Sequence, residues 1–143
     1  MNNARSIALR VVLVIAGLLI ILTGLNIALG GILTLGWQGQ TVFFEVTDQH
    51  SYLVQDSHIR FIGGLWLGIG LFFLVAATNV RKYKGALFLA FALIFLGGLA
   101  RLSQMHLEIT FGPQIIGSLI AELVGMPLLY LWVSKAIKKP ETV

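Results

Sequence analysis

The sequence contains no cysteine, which excludes disulfides, thiolate nucleophiles and cysteine-ligated metal centres. It is also poor in charge. Asp, Glu, Lys and Arg make up 11% of 143 residues, against roughly 25% in a soluble domain. So little polar surface cannot clothe a globule in water, and a soluble enzyme is excluded on that ground. Disorder is excluded by the opposite count, because apolar residues reach 57% and a disordered chain needs low hydrophobicity. The net charge of +4 does not point to nucleic acid, since the basic residues are distributed as membrane topology requires.

What is present is a series of long uncharged runs. Residues 11–35 form the first, longer than the ~30 Å hydrocarbon core needs at ~1.5 Å per residue. Arg5 and Arg10 before it resemble the basic start of a signal peptide. The run exceeds the usual apolar region of such a peptide, about 7–15 residues, so a retained anchor is the better reading. Residues 61–80 are the second run. A third starts at Gly85 and carries Arg101; a fourth starts near Gln114 and carries Glu122. Each of these two reaches spanning length only with its charge inside the membrane.

The expected fold is an all-α integral membrane protein, a four-transmembrane-helix bundle in one domain. Its spans are placed at about 9–34, 59–80, 85–107 and 114–134. Arg5, Arg10, Arg81, Lys82, Lys84, Lys135, Lys138 and Lys139 then fall on one side, which makes that side, and both termini, cytoplasmic. An extended outer loop, 36–57, joins the first two spans. Within it 40–46 and 51–54 are rich in strand-favouring residues, so a strand pair or lid is expected there, with an interfacial helix as the alternative. The tail 138–143 is expected to fray.

Sixteen glycines, about one residue in nine, mostly lie inside the spans. Small residues let membrane helices approach closely. Gly17, Gly24 and Gly31 repeat every seven residues, and Gly64 and Gly68 form a small-xxx-small pair. Gly97, Gly98, Gly117 and Gly125 lie on the last two spans. Packing within one subunit is the plainer expectation, and a homodimer face the sharper one.

Two arginines break the positive-inside pattern. Arg60 is placed at the outer mouth of span two, and Arg101 roughly 7–8 Å below the outer end of span three. Glu122 lies at similar depth on span four. A charge at the centre of a membrane helix costs on the order of 2.5–3.5 kcal/mol, so Arg101 and Glu122, on antiparallel neighbours, are expected to pair. Helical spacing aligns each with other polar or small residues: Gly97, Arg101 and Gln104; Gln114, Ser118, Glu122 and Gly125; Asp56, Arg60, Gly64 and Gly68. Together with His58 they suggest a polar pocket in the outer half. Three readings compete: a fold-specifying network, a site for a small, anionic or lipid-like ligand, and a proton relay through Glu122. His50, His58 and His106 with nearby carboxylates match no metal motif, and interfacial histidines are the simpler account. No catalytic residue, metal site or cofactor is assigned.

Three blocks carry a family resemblance: DSHIRFIGGLWLGIGL (56–71), FLGGLARLS (95–103) and ELVGMPLLYLW (122–132). They resemble a bacterial domain-of-unknown-function family of small four-span inner-membrane proteins, through Arg60, Gly97, Gly98, Arg101, Glu122 and Pro127. A looser likeness in size and span number is to the DoxX-like membrane proteins. The resemblance implies a multi-pass protein of the bacterial inner (cytoplasmic) membrane and supplies no activity. The functional expectation is a non-enzymatic membrane protein that binds a small or lipid-like ligand, or serves as accessory subunit of a membrane complex. A small-solute or proton-coupled transporter, and a membrane enzyme using Glu122 or a histidine as acid/base, are the alternatives. Expected partners are membrane lipid and a membrane protein or second copy of the chain, not nucleic acid.

Overall fold

Every regular element described is helical. The computed structural model describes residues 3–33, 45–104 and 106–137, with side chains from Ser6 onward. Helix α1 runs Asn3–Gly30, α2 Gln49–Thr78, α3 Lys84–Arg101 and α4 Leu107–Thr110; α5, Ile116–Ile120, passes through a π-helical turn, Ala121–Gly125, into α6, Met126–Ile137. Four helical stretches are long and apolar enough to cross a membrane: Ser6–Leu33, Gln49–Thr78, Lys84–Arg101 and Ile116–Ile137. Their surfaces carry Leu19, Leu22, Leu65, Leu89, Leu93 and Leu128, each more than half exposed. Such side chains are at rest against acyl chains and would form a large apolar patch in water. The protein is a multi-pass membrane protein.

The chain divides into two compact units, one of residues 12–75 and one of residues 1–11 with 76–143. In the first, α1 and α2 lie antiparallel in a glycine-lined register. A methyl added at Gly17 would stand 2.9 Å from the Gly70 carbonyl; one at Gly24 would stand 2.5 Å from the Leu67 amide and 3.1 Å from the Gly63 carbonyl. One at Gly63 would collide with the backbone of Ala28, and one at Gly31 with the Asp56 carboxylate. The heptad Gly17, Gly24, Gly31 thus faces a second heptad, Asp56, Gly63, Gly70. The expected packing pair on α2 is displaced by this finding: Gly64 and Gly68 have open space beside them. Adjacent residues point about 100° apart on a helix, so Gly63 can face α1 only if Gly64 does not.

In the second unit α3 packs on α6. Leu87, Ala90, Phe91, Ile94 and Gly98 form the buried stripe of α3, and Met126, Leu129 and Val133 that of α6. Both follow helical spacing.

The second span's helix begins earlier than its composition suggests. Residues 51–54 are helical, because α2 begins at Gln49. Asp48 starts it: its Oδ1 accepts the amides of His50 (3.0 Å) and Ser51 (3.2 Å), and its Oδ2 accepts the Ser51 hydroxyl (2.6 Å). A capped start of this kind overrides the strand preference of isolated side chains. The Ser51 hydroxyl first, and then the amides, hold the Asp48 carboxyl below the usual carboxylate range. Residues 40–44 of the expected strand, and the tail 138–143, lie outside the described residues.

Span three is also shorter than expected. It ends at Arg101, where amide bonds tighten to the i−3 pattern and the Ser103 hydroxyl donates to the Ala100 carbonyl at 2.7 Å. Eighteen residues rise about 27 Å, so the span is complete without 102–107. Arg101 therefore stands at the helix end and not a turn and a half inside it.

Candidate functional site

Two charged clusters are built into the helices, one in each unit. In the 12–75 unit, Asp56 and Arg60 are one turn apart on α2, and the Arg60 Nε donates to Asp56 Oδ2 at 2.6 Å. Asp56 Oδ1 accepts the amide of Ile32 at 2.8 Å. Arg60 Nη1 donates to the carbonyls of Leu29 and Ala28. Gly31 makes this possible with a φ of +68°, the left-handed backbone that ends helices. Arg60 thus meets carbonyls that the end of α1 leaves without helical partners, where the helix dipole favours a cation. The cluster is a clamp on the C-terminal end of α1. Arg60 is thus engaged by both the Asp56 carboxylate and the end of α1.

In the other unit, Arg101 and Glu122 pair as a fork: Nε to Oε2 at 2.8 Å and Nη2 to Oε1 at 3.1 Å. The Glu122 side chain is 8% exposed, that of Arg101 45%. The carboxylate is therefore the buried partner, and the guanidinium bridges it to the surface. Arg101 Nη1 has no hydrogen bond among the described residues. Gly98 brings the elements this close; a methyl there would stand 2.8 Å from the Glu122 Cβ. Gly97, the turn before Arg101, has open space beside it, as does Gly117, and Gly125 meets only ordinary contact. Of the expected packing glycines on α3 and span four, Gly98 is the one that packs tightly.

Glu122 lies in the π-helical turn. The Met126 amide reaches back to the Ala121 carbonyl, five residues away, and Pro127 follows. Proline has no amide hydrogen and its ring crowds the carbonyl four residues earlier, here that of Leu123. A widened turn just ahead of it relieves that conflict, and π turns recur at functional positions. The sequence carried the signal in Pro127, but not the form of the turn.

The remaining candidates stand apart. The Ser118 hydroxyl donates to the carbonyl of Ile115 at 2.8 Å within its own helix, and the Gln104 side chain is exposed. His58 is exposed with His50, Leu53, Val54 and Ser57 along a shallow groove on one face of α2, away from the face of Asp56. His106 Nδ1 lies 3.5 Å from Glu108 Oε1, both exposed. Among the described residues no three His, Asp or Glu side chains gather in a way that could hold a metal.

A family model described as a domain of unknown function (DUF4345) matches residues 8–133. The chain belongs to the DUF4345 family. The match takes in both charged clusters, the second and third spanning stretches entirely and most of the first and fourth, so the clamp and the fork are parts of a DUF4345 domain. Comparison with curated proteins and with solved structures returns no match.

Proposed function

We propose that this DUF4345 protein is a non-enzymatic component of the bacterial inner membrane, with both termini cytoplasmic, that holds a small anionic or lipid-like ligand at Arg101. The observation that carries the reading is the division of labour in one guanidinium. Two nitrogens are fixed by a buried carboxylate, and the third has no hydrogen bond among the described residues on a side chain that is 45% exposed. An arginine so held is preorganised, because its rotamers are already restricted before a ligand arrives. Its free edge suits a phosphate or carboxylate oxygen. Service as an accessory subunit of a membrane complex is compatible with the same site.

A proton-coupled carrier is the second reading, favoured by a buried carboxylate in a π turn within a span. The fork to Arg101 weighs against it, since both carboxylate oxygens are already engaged by the guanidinium.

The test is Arg101→Lys. Lysine keeps a positive charge for Glu122 but cannot grip it with two nitrogens and offer a third. Native mass spectrometry of protein purified in mild detergent should show the anionic amphipath bound to wild type reduced about tenfold, the equivalent of one charge-assisted contact. An unchanged ligand profile sinks the reading.

A further inference from the structure

At the other end of the α3–α6 pair lie four cations with no ion pair among the described residues. The turn between α2 and α3 is held by the Tyr83 amide to the Asn79 carbonyl at 3.2 Å and the Lys82 amide to Asn79 Oδ1 at 3.0 Å. Arg81, Lys82 and Lys84 project from it, all exposed. Lys135 joins them through the antiparallel packing of α3 on α6. Arg101 meets Glu122 at one end of that pair, and the Phe88 ring lies 4.4 Å from that of Tyr130 toward the other. Lys84 is one turn beyond Phe88 and Lys135 five residues beyond Tyr130, so the two reach the same level. Lys82 Nζ lies 5.2 Å over the Tyr83 ring and Lys84 Nζ 5.8 Å over Phe88.

None of the four has an ion pair among the described residues. The described carboxylates are elsewhere: Glu45 and Asp48 precede α2, Asp56 is near its start, Glu108 lies past the far end of α3, and Glu122 is taken. Immediately along the helices from the cations come Leu89, Leu93, Leu128 and Leu131, each at least half exposed. A basic rim above an apolar wall, with aromatic rings at the junction, is complementary to a molecule with an anionic head and acyl chains. We infer that this end of the α3–α6 pair is a binding surface for anionic phospholipid headgroups, independent of the ligand proposed for Arg101. Placing positive charge on the cytoplasmic side explains how many cations the loop carries. It does not explain why they share a level with Lys135 at the end of the α3–α6 pair marked by the Phe88 and Tyr130 rings.

The probe is phosphatidylglycerol competed against phosphatidylcholine on the full chain in detergent, read by native mass spectrometry, where topology plays no part. Each cation near a headgroup surface is worth about fivefold in affinity. Wild type should prefer phosphatidylglycerol by at least about tenfold at low salt and lose most of that preference at high salt. The variant Arg81→Gln/Lys82→Gln/Lys84→Gln should bind the two lipids nearly equally. Its melting temperature with phosphatidylcholine should match wild type, because all three side chains are exposed. Arg101→Lys should keep the preference. Equal binding by wild type, or a preference that survives either salt or the triple substitution, overturns the inference. Should the triple variant fail to fold, the salt series on wild type decides alone. Loss of the preference in Arg101→Lys would move the lipid to the other end and equally overturn it.

Discussion

Arg101 holds Glu122 by two hydrogen bonds, yet only Glu122 is buried. The pair is therefore unequal. Removing Arg101 strands a carboxylate with no other described partner, whereas removing Glu122 frees a guanidinium that already reaches the surface and can extend to the interface. Arg101→Leu is expected to cost about 3 kcal/mol, the lower end for breaking a buried pair, and Glu122→Leu less. The double Leu variant should recover much of the loss. A double-mutant cycle on melting temperature in detergent checks this. Additive losses would mean that the fork contributes no coupling.

The glycines divide into two classes by what lies next to them. Gly24→Ala and Gly63→Ala push a methyl into backbone atoms of the partner helix. They are expected to cost about 1–3 kcal/mol, as overpacking does. Gly64→Ala and Gly68→Ala meet open space and should be neutral or stabilising by up to about 1 kcal/mol, from helix propensity alone. Melting temperatures of the four single variants test the division. A larger loss at Gly64 than at Gly63 would contradict the register.

Arg60→Gln should destabilise. It removes the charged donor to the end of α1 and leaves Asp56 without its cation. Hydrogen bonds to charged groups are worth about 1.5–3 kcal/mol, and a loss in that range is expected. Asp56→Asn should be milder, because the amide oxygen can still accept from Ile32. Hydrogen exchange at Ile32 reads the clamp directly, and should quicken in Arg60→Gln while amides in the middle of α1 hold.

Topology follows from the basic residues. Reporter fusions after Lys82 and after Val143 should read cytoplasmic, and fusions after Ser57 and after Glu108 external. A C-terminus found outside would refute an even number of crossings.

The spans were legible because a membrane helix announces itself by length and lack of charge, and Arg101 and Glu122 were legible as partners because two isolated charges on neighbouring spans have few alternatives. The choice of Gly63 over Gly64 was not, since composition is blind to which of two adjacent residues faces a neighbour. The clue was periodic: Asp56, Gly63 and Gly70 repeat the seven-residue spacing of Gly17, Gly24 and Gly31. The start of α2 was hidden by Tyr52, Leu53 and Val54, whose strand preference outweighed the Asp48–Ser51 cap on a reading by composition. The Asp56–Arg60 pair was legible from its one-turn spacing, but the contacts of Arg60 to the Leu29 and Ala28 carbonyls were not, because backbone acceptors leave no mark in the sequence.

The π turn at Ala121–Gly125 amounts to an α-helix with one residue too many. Deleting a single residue there would let the span close into regular α-helix, apart from Pro127. The part before the deletion would turn by about 100° relative to the part after it. Leu129 and Val133 could then keep their seat against α3 only if Glu122 swung away from Arg101, or Glu122 could stay only if α6 presented a different side. The extra residue is thus a phase adjuster: it lets one span satisfy a polar contact and an apolar seam that an unbroken helix could not align together. Members of the family that lack the extra residue should lack the fork as well.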